Sequence, residues 1–400
     1  MNRKALQTAP SFAEFVIIIS SMMSLTALSI DTMLPALPMI GSDLSVRSAN
    51  DRQLVVSTIF LGIAIGQLFF GPLSDKTGRK PAIYTGYAVY ICDTLLSVFA
   101  GTFPMMLAGR LLQGIGVSAP RAITLALVRD RYKGRTMARV MSFVMTVFIL
   151  VPMVAPTLGQ AILSFAGWRS IFVAFILIAI VTLTWFAMRM PETLAPEDRA
   201  PFSLKRITAA LLEIIRNRTA IGYTVAAGLI HGAFLGYLNS AQQIFQEHYT
   251  LGERFPLIFA IISFSLGFAS FLNARLVMRF GMRFLVRRSL VIIFGMGITA
   301  FAISLFFSGH PPFWIFMIYL MMTIFCVGVL FGNQNSLAME PLGHLAGIGA
   351  AVVGSLQTFI SMPLGTLIGR NFNGTVLPLI IGFIVLSGIT NAVVHWIEKK

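Results

Sequence analysis

The sequence predicts an all-α membrane protein: twelve transmembrane helices arranged as two six-helix pseudo-repeats. Three observations carry that reading. Of 400 residues, 56% are hydrophobic and 11% charged, with 34 Phe, whereas soluble domains carry about a quarter charged residues. The apolar runs are long and lack strict alternation, which selects spanning helices over a closed barrel. The bases gather in alternate short segments between those runs, the bias that orients a multi-pass chain.

In order, the spans are read at 13–37, 53–73, 83–100, 103–128, 140–165, 168–188, 219–245, 255–277, 286–307, 312–331, 346–368 and 376–396. The first run is long and followed by many others, so it reads as a span and not as a cleavable signal. With the N-terminus inside, cytoplasmic segments and the span ends that adjoin them hold 23 of the 30 Lys and Arg. The outer loops and their adjoining span ends hold five: Arg47, Arg52, Arg169, Arg254 and Arg370. Arg110 and Arg121 lie inside span four. Both termini are therefore expected in the cytoplasm. The net charge of +15 is explained by these loops, and no nucleic-acid partner is expected.

The longest polar interruption contains PETLAPEDRAP and divides the chain into a six-helix bundle at 1–188, a cytoplasmic linker at 189–218 and a second bundle at 219–400. Its Pro, Glu and Arg mark a solvated linker, with a short surface helix expected at 204–215. Sliding the chain by 203 residues sets GPLSDKTGRK over ARLVMRFGMR. Leu73 then meets Leu276, Lys76 meets Arg279 and Gly78 meets Gly281, while Asp75 meets Met278. The second copy keeps the bases and loses the acid. Two parallel halves with a site near the bilayer midplane are a transporter architecture.

The stretch 71–81, GPLSDKTGRKP, reads as a basic turn between spans two and three. Its acid, Asp75, sits one turn from Gly78, Arg79 and Lys80, where it can accept from a helix N-terminus or pair with an Arg.

Ionisable groups inside spans are costly and face a cavity or a partner. Asp31 is expected about four residues, ~6 Å, below the outer end of span one, and Arg110 about seven residues, ~10 Å, below the same face. Asp93 shares that depth as a second candidate acid; Arg121 lies ~16 Å further in. A buried acid that gains and loses an Arg partner takes up and releases a proton. Asp31 also has the plainer reading of a static ion pair, Asp93 that of a polar residue facing a neighbouring helix, and Arg121 that of a snorkelling base. His231 reads as a packing residue or a proton carrier. Asn239, Gln242 and Gln243 line a polar mouth or mark the interface.

Several motifs now line up with a known family. Gly71, Leu73, Asp75, Gly78, Arg79 and Lys80 fall in the places of the loop signature of the major facilitator superfamily. DTMLPALP at 31–38, RLLQGIG at 110–116, VPMVAPTLG at 151–159, GWRSIF at 167–172, PETL at 191–194 and FGNQNSLAMEPLGHLAG at 331–347 follow in order. Together they resemble the bicyclomycin/chloramphenicol-resistance (Bcr/CflA) branch of its drug:proton antiporters. The resemblance implies the major facilitator fold, a small drug-like substrate exchanged against protons, and a monomer surrounded by lipid in a bacterial inner membrane. It makes Asp31 the proton-responsive acid and Arg110 the charged residue of the fourth helix, with Gln113 and Gly114 beside it. Pro156 and Gly159 belong to the antiporter motif of span five, where Ala155 stands in place of the usual Gly. Pro152 and Pro156 remove two backbone hydrogen bonds one turn apart, so a bend is expected there.

The expected function is drug:proton antiport; export of one physiological metabolite is the alternative. Phe-rich spans and 21 Met suit a pliable apolar cavity. An enzyme is not expected: there is no nucleophile–base pair, and neither GxxxxGK[ST] nor HExxH occurs. No cofactor and no metal are expected either, and Cys92 and Cys326, far apart in apolar runs, read as free buried thiols.

Overall fold

The computed structural model describes residues 10–399. Of the bases that set the expected orientation, Arg3, Lys4 and Lys400 lie outside them. Twelve long helices follow one another: α1 (Phe12–Asp31), α2 (Leu54–Thr77), α3 (Arg79–Val98), α4 (Phe103–Arg131), α5 (Gly134–Phe165), α6 (Arg169–Arg189), α7 (Arg218–Gln242), α8 (Phe255–Phe280), α9 (Met282–Phe306), α10 (Phe313–Met339), α11 (Ala346–Arg370) and α12 (Leu377–Glu398). The described residues contain no strand. Among the described residues, eleven helical stretches are long and apolar enough to cross a membrane. The exception is α3, diluted by Tyr84, Thr85, Tyr87, Tyr90, Asp93 and Thr94.

The expected linker helix is present at Leu204–Arg216. The chain divides into two compact units, Met1–Ala36 with Thr58–Ile207, and Leu37–Ser57 with Thr208–Lys400. The segment between α1 and the body of α2 therefore packs with the second unit.

Large apolar side chains remain exposed on the helix surfaces, among them Phe165, Val181, Met278, Phe306 and Ile318. Acyl chains are as apolar as these side chains, so helix association rests on close packing and small residues. On α7, Gly228, Gly232 and Gly236 recur every fourth residue. A Cβ at any of them would come within 2.9 Å of Ile360, Leu364 or Ile368 on α11. A larger residue at any of these positions would force the two helices apart.

The stretch 71–81 corrects the sequence reading. Gly71–Thr77 is helical and belongs to α2, Pro72 included, and the break falls at Gly78, at φ +105°. Two hydroxyls also bond helix carbonyls in this stretch: Ser74 Oγ donates to Gly71 O at 2.8 Å and Thr77 Oγ1 to Leu73 O at 2.9 Å. Gly281, its partner in the internal repeat, has the same backbone, φ +79° and ψ 156°, in a region side chains rarely adopt. The cysteine reading also changes in part: Cys326 is buried, but Cys92 is exposed on α3.

Candidate functional site

Asp31 is the last residue of α1, where the helix gives way to a 3₁₀ turn, Leu34–Ala36, before Pro38. It is 5% exposed, and it makes no hydrogen bond or ion pair among the described residues. Arg110 on α4 is wholly buried. It reaches α1 two residues earlier: its Nη2 donates to Ser29 O at 2.7 Å, and its Nη1 donates to Gln113 Oε1 at 2.6 Å. Gln113 Nε2 donates to Thr94 Oγ1 at 2.8 Å, and Thr94 Oγ1 donates to Tyr90 O at 2.5 Å. The Tyr90 hydroxyl lies 2.7 Å from Ser29 Oγ, which closes the ring of contacts back onto α1. The Arg110 guanidinium also sits over the Phe172 ring, 5.9 Å from its centre.

The structure thus brings Arg110, Gln113 and the end of α1 together, with Arg110 bonded to the backbone beside Asp31. Gly114 lets α2 approach α4, since a Cβ there would lie 2.2 Å from Ile59 O. Gly159 does the same for α5 against the end of α1, where a Cβ would lie 2.1 Å from Thr32 O. Pro156 lies one turn before it, inside a helix that runs unbroken from Gly134 to Phe165. Asp93 is half-buried on α3, its Oδ2 shut off from solvent without a hydrogen-bond partner among the described residues. It stays apart from the Arg110 ring, which uses Thr94, the next residue. Arg121 is half-buried on α4 and makes no hydrogen bond or ion pair among the described residues.

A second cluster lies where α2 meets α3. Arg79 is 3% exposed. Its Nε donates to Asp130 Oδ2 at 2.9 Å, and its Nη1 to Asp75 Oδ1 at 2.5 Å and Ser74 Oγ at 2.8 Å. Burial pulls its pKa down, but the bonds to Asp130 and Asp75 outweigh that and leave it above the ordinary Arg value, so the side chain stays charged. Glu192 spans the first turn of α3, accepting from Arg79 N at 2.9 Å and Lys80 N at 3.0 Å. Lys80 Nζ donates to the carbonyls of Ala187 and Met190 at the end of α6. Gly71, about two turns before Gly78, supplies the carbonyl that Ser74 bonds.

Sequence reasoning had Asp75 and Arg79 but missed Asp130, Glu192 and the pairing of Glu14 with Arg189, two bonds of 2.6 and 2.8 Å. The available signal for Asp130 was a lone acid between Arg129 and Arg131; for Glu192 it was the PETL motif itself.

In the second unit, His231 packs against the rings of Phe331 and Phe234, at 5.3 and 6.3 Å. Asn239, Gln242 and Gln243 are buried. Asn239 Nδ2 donates to Ser57 Oγ at 3.0 Å, and Gln243 Nε2 to Asn50 Oδ1 at 2.7 Å, while Gln53 Nε2 bonds Gln243 Oε1. These polar residues hold the segment that enters α2.

The sequence profile of the Major Facilitator Superfamily matches residues 17–366. The chain belongs to that superfamily. It is 30% identical to the uncharacterized MFS-type transporter YdgK of Bacillus subtilis (strain 168), covering 91% of this chain and 92% of that protein. It is 28% identical to the bicyclomycin resistance protein homolog of Haemophilus influenzae, covering 92% and 91%. Among solved structures, the xylose transporter XylE of E. coli in a partially occluded inward-open conformation matches with a TM-score of 0.73. The identity is 12%, over 95% of this chain and 96% of that one. At that identity the likeness shows the major facilitator fold alone. The superfamily is one of transporters rather than enzymes, and the apolar helices make this a multi-pass membrane protein.

Proposed function

We propose that this major facilitator protein is a proton-coupled antiporter that expels small amphipathic compounds by alternating access. One observation carries the reading. Asp31 is a buried carboxyl with no ion pair among the described residues, two residues from the carbonyl that holds the buried Arg110. A small shift of the Arg110 fork from Ser29 O to the carboxylate would pair the acid and release its proton. The resistance function in the name of the Haemophilus relative supports a drug-like substrate. On this reading the six-helix halves at 1–188 and 219–400 act as the two moving parts. The linker and both termini are cytoplasmic, the membrane is the bacterial inner membrane, and the chain works as a monomer.

A second reading, export of one physiological metabolite, is favoured by Arg121, a half-buried guanidinium without a partner among the described residues. It suits an anionic group on the substrate.

The test is drug-susceptibility profiling of cells expressing the protein, with and without a protonophore. Resistance to several unrelated amphipathic drugs, abolished by the protonophore and by Asp31→Asn, is expected. Resistance that survives the protonophore would rule out proton coupling. No resistance to any drug, with proton-dependent export of one anionic metabolite, would select the second reading.

A further inference from the structure

The internal repeat reverses the chain twice in the same way and then treats the next helix differently. Gly78 and Gly281 each precede a helix, α3 and α9, and neither helix has a side-chain cap from its N-cap residue. Ahead of α3 the space is filled from within the chain. Glu192 covers the first-turn amides, and Lys80 is spent on the last carbonyls of α6. In the second unit the corresponding place, where α9 begins and α12 ends, is an open cavity of about 550 Å3. Arg283, which the repeat sets over Lys80, lines it together with Arg287 and Lys399.

We propose that this cavity binds a phosphate group. Three cationic side chains line it against one carboxylate, Glu398. That carboxylate is already committed: it accepts from the Tyr223 hydroxyl at 2.8 Å, pairs with Arg287 and is 9% exposed. Arg283 gives one N–H to Glu340 at 3.5 Å. A guanidinium carries five N–H donors, so both arginines keep donors to spare. They lie four residues apart on α9, on one face of the helix. Two forks one turn apart match an anion that has several oxygens and more than one direction of approach, which a phosphate offers and a single carboxylate does not. Phe284 and Ile397 supply an apolar wall beside the cations, so the phosphate is one carried near apolar matter. The cavity sits at the ends of three apolar helices, where bilayer headgroups begin. Two sources share the chemistry: an anionic phospholipid headgroup and a soluble phosphate. The site is independent of what the protein transports.

The test uses the full-length protein and reads binding, not transport. Wild type and Arg283→Gln are reconstituted in nanodiscs of equal phosphatidylcholine and phosphatidylglycerol, and retained lipid is counted by native mass spectrometry. In parallel, inorganic phosphate is titrated into detergent-purified protein by calorimetry. Preferential retention of phosphatidylglycerol, cut about tenfold by Arg283→Gln, assigns the site to a lipid headgroup; one lost charged hydrogen bond is worth roughly that factor. Calorimetric binding of phosphate, weakened by a similar factor in the variant, assigns it to a soluble phosphate. Arg283 is well exposed and its bond to Glu340 is long at 3.5 Å, so the variant is expected to melt like wild type. Arg287→Gln, which frees Glu398, serves as a second variant only if its melting is unchanged. No phosphatidylglycerol preference and no phosphate binding would overturn the proposal. So would binding that a normally melting Arg283→Gln leaves untouched.

Discussion

The Glu192 carboxylate accepts the backbone N–H of Arg79 at 2.9 Å, across 113 residues of sequence. Its other oxygen takes the N–H of Lys80 at 3.0 Å, so a residue just past the end of α6 caps α3. Helix N-terminal amides without an acceptor are costly, and losing a cap costs about 1 kcal/mol. Glu192→Ala is therefore expected to lower the melting temperature, with Glu192→Gln, which keeps one acceptor oxygen, closer to wild type. Equal melting of Glu192→Ala and wild type would show that water replaces the cap without loss.

Arg79 is held by two acids of unequal burial, Asp130 at 15% and Asp75 at 41% exposure. An exposed partner contributes little, within about 1 kcal/mol, whereas removing a buried partner strands a buried charge. Asp75→Ala should leave the protein folded and inserted but slow its cycling. Asp130→Ala should lower stability more, because Thr193 Oγ1 also donates to it at 3.0 Å. Thermal melting and transport rates at equal expression check both. Wild-type transport in Asp75→Ala would reduce Asp75 to a helix-end residue.

Gly159 faces a backbone carbonyl that cannot move aside, Thr32 O, 2.1 Å from where its Cβ would stand. Gly159→Val must push α5 off the end of α1, at about 1–3 kcal/mol by the usual scale of overpacking. Transport should fall further than stability, since the displaced contact is one residue from Asp31. Normal melting together with normal transport would mean that α5 adjusts freely there.

The spans were legible because bilayer thickness imposes length and apolarity on each one separately. Gly78 was legible because a tight reversal leaves few residue types. Two things were not. The extension of α2 through Gly71 and Pro72 runs against the turn signal that those two residue types carry in a sequence. The roles of Asp130 and Glu192 arise from contacts 51 and 113 residues distant in sequence. Depth counting correctly set Arg110 level with the end of α1. It had no means of choosing between the Asp31 carboxylate and the Ser29 carbonyl as its acceptor.

Orientation gives a fourth prediction. With 23 bases on one side and five on the other, the linker belongs in the cytoplasm. A cysteine placed at Ala200, in a background lacking Cys92 and Cys326, should resist a membrane-impermeant thiol reagent added to whole cells and react after lysis. Ala200 N donates to Asp75 O at 3.0 Å, so labelling there would place the Asp75 cluster on the same side. Ready labelling of intact cells would reverse the topology.

Proton coupling gives the last. If Asp31 is the carrier, it must be paired with Arg110 in one state and protonated in another. In this structure Arg110 is bonded to Ser29 O and Gln113 Oε1, and Asp31 makes no ion pair among the described residues. Asp31→Asn removes the titrating group while keeping its size, so substrate still binds but exchange against protons should fall at least about tenfold, as expected for loss of a positioned proton carrier. Arg110→Lys keeps the charge but has no fork to hold Ser29 O and Gln113 at once, and should impair coupling more than its charge suggests. Gln113→Ala tests the same ring from its other end: it leaves Thr94 and Arg110 each short of one partner, and should weaken coupling less than Asp31→Asn. Asp93 is the rival acid, at a similar depth but outside the Arg110 ring. Asp93→Asn should therefore retain most exchange. The measurement is substrate-induced proton release from proteoliposomes, with binding followed in parallel for every variant. Continued proton release by Asp31→Asn, with release lost in Asp93→Asn, would move the carrier from α1 to α3.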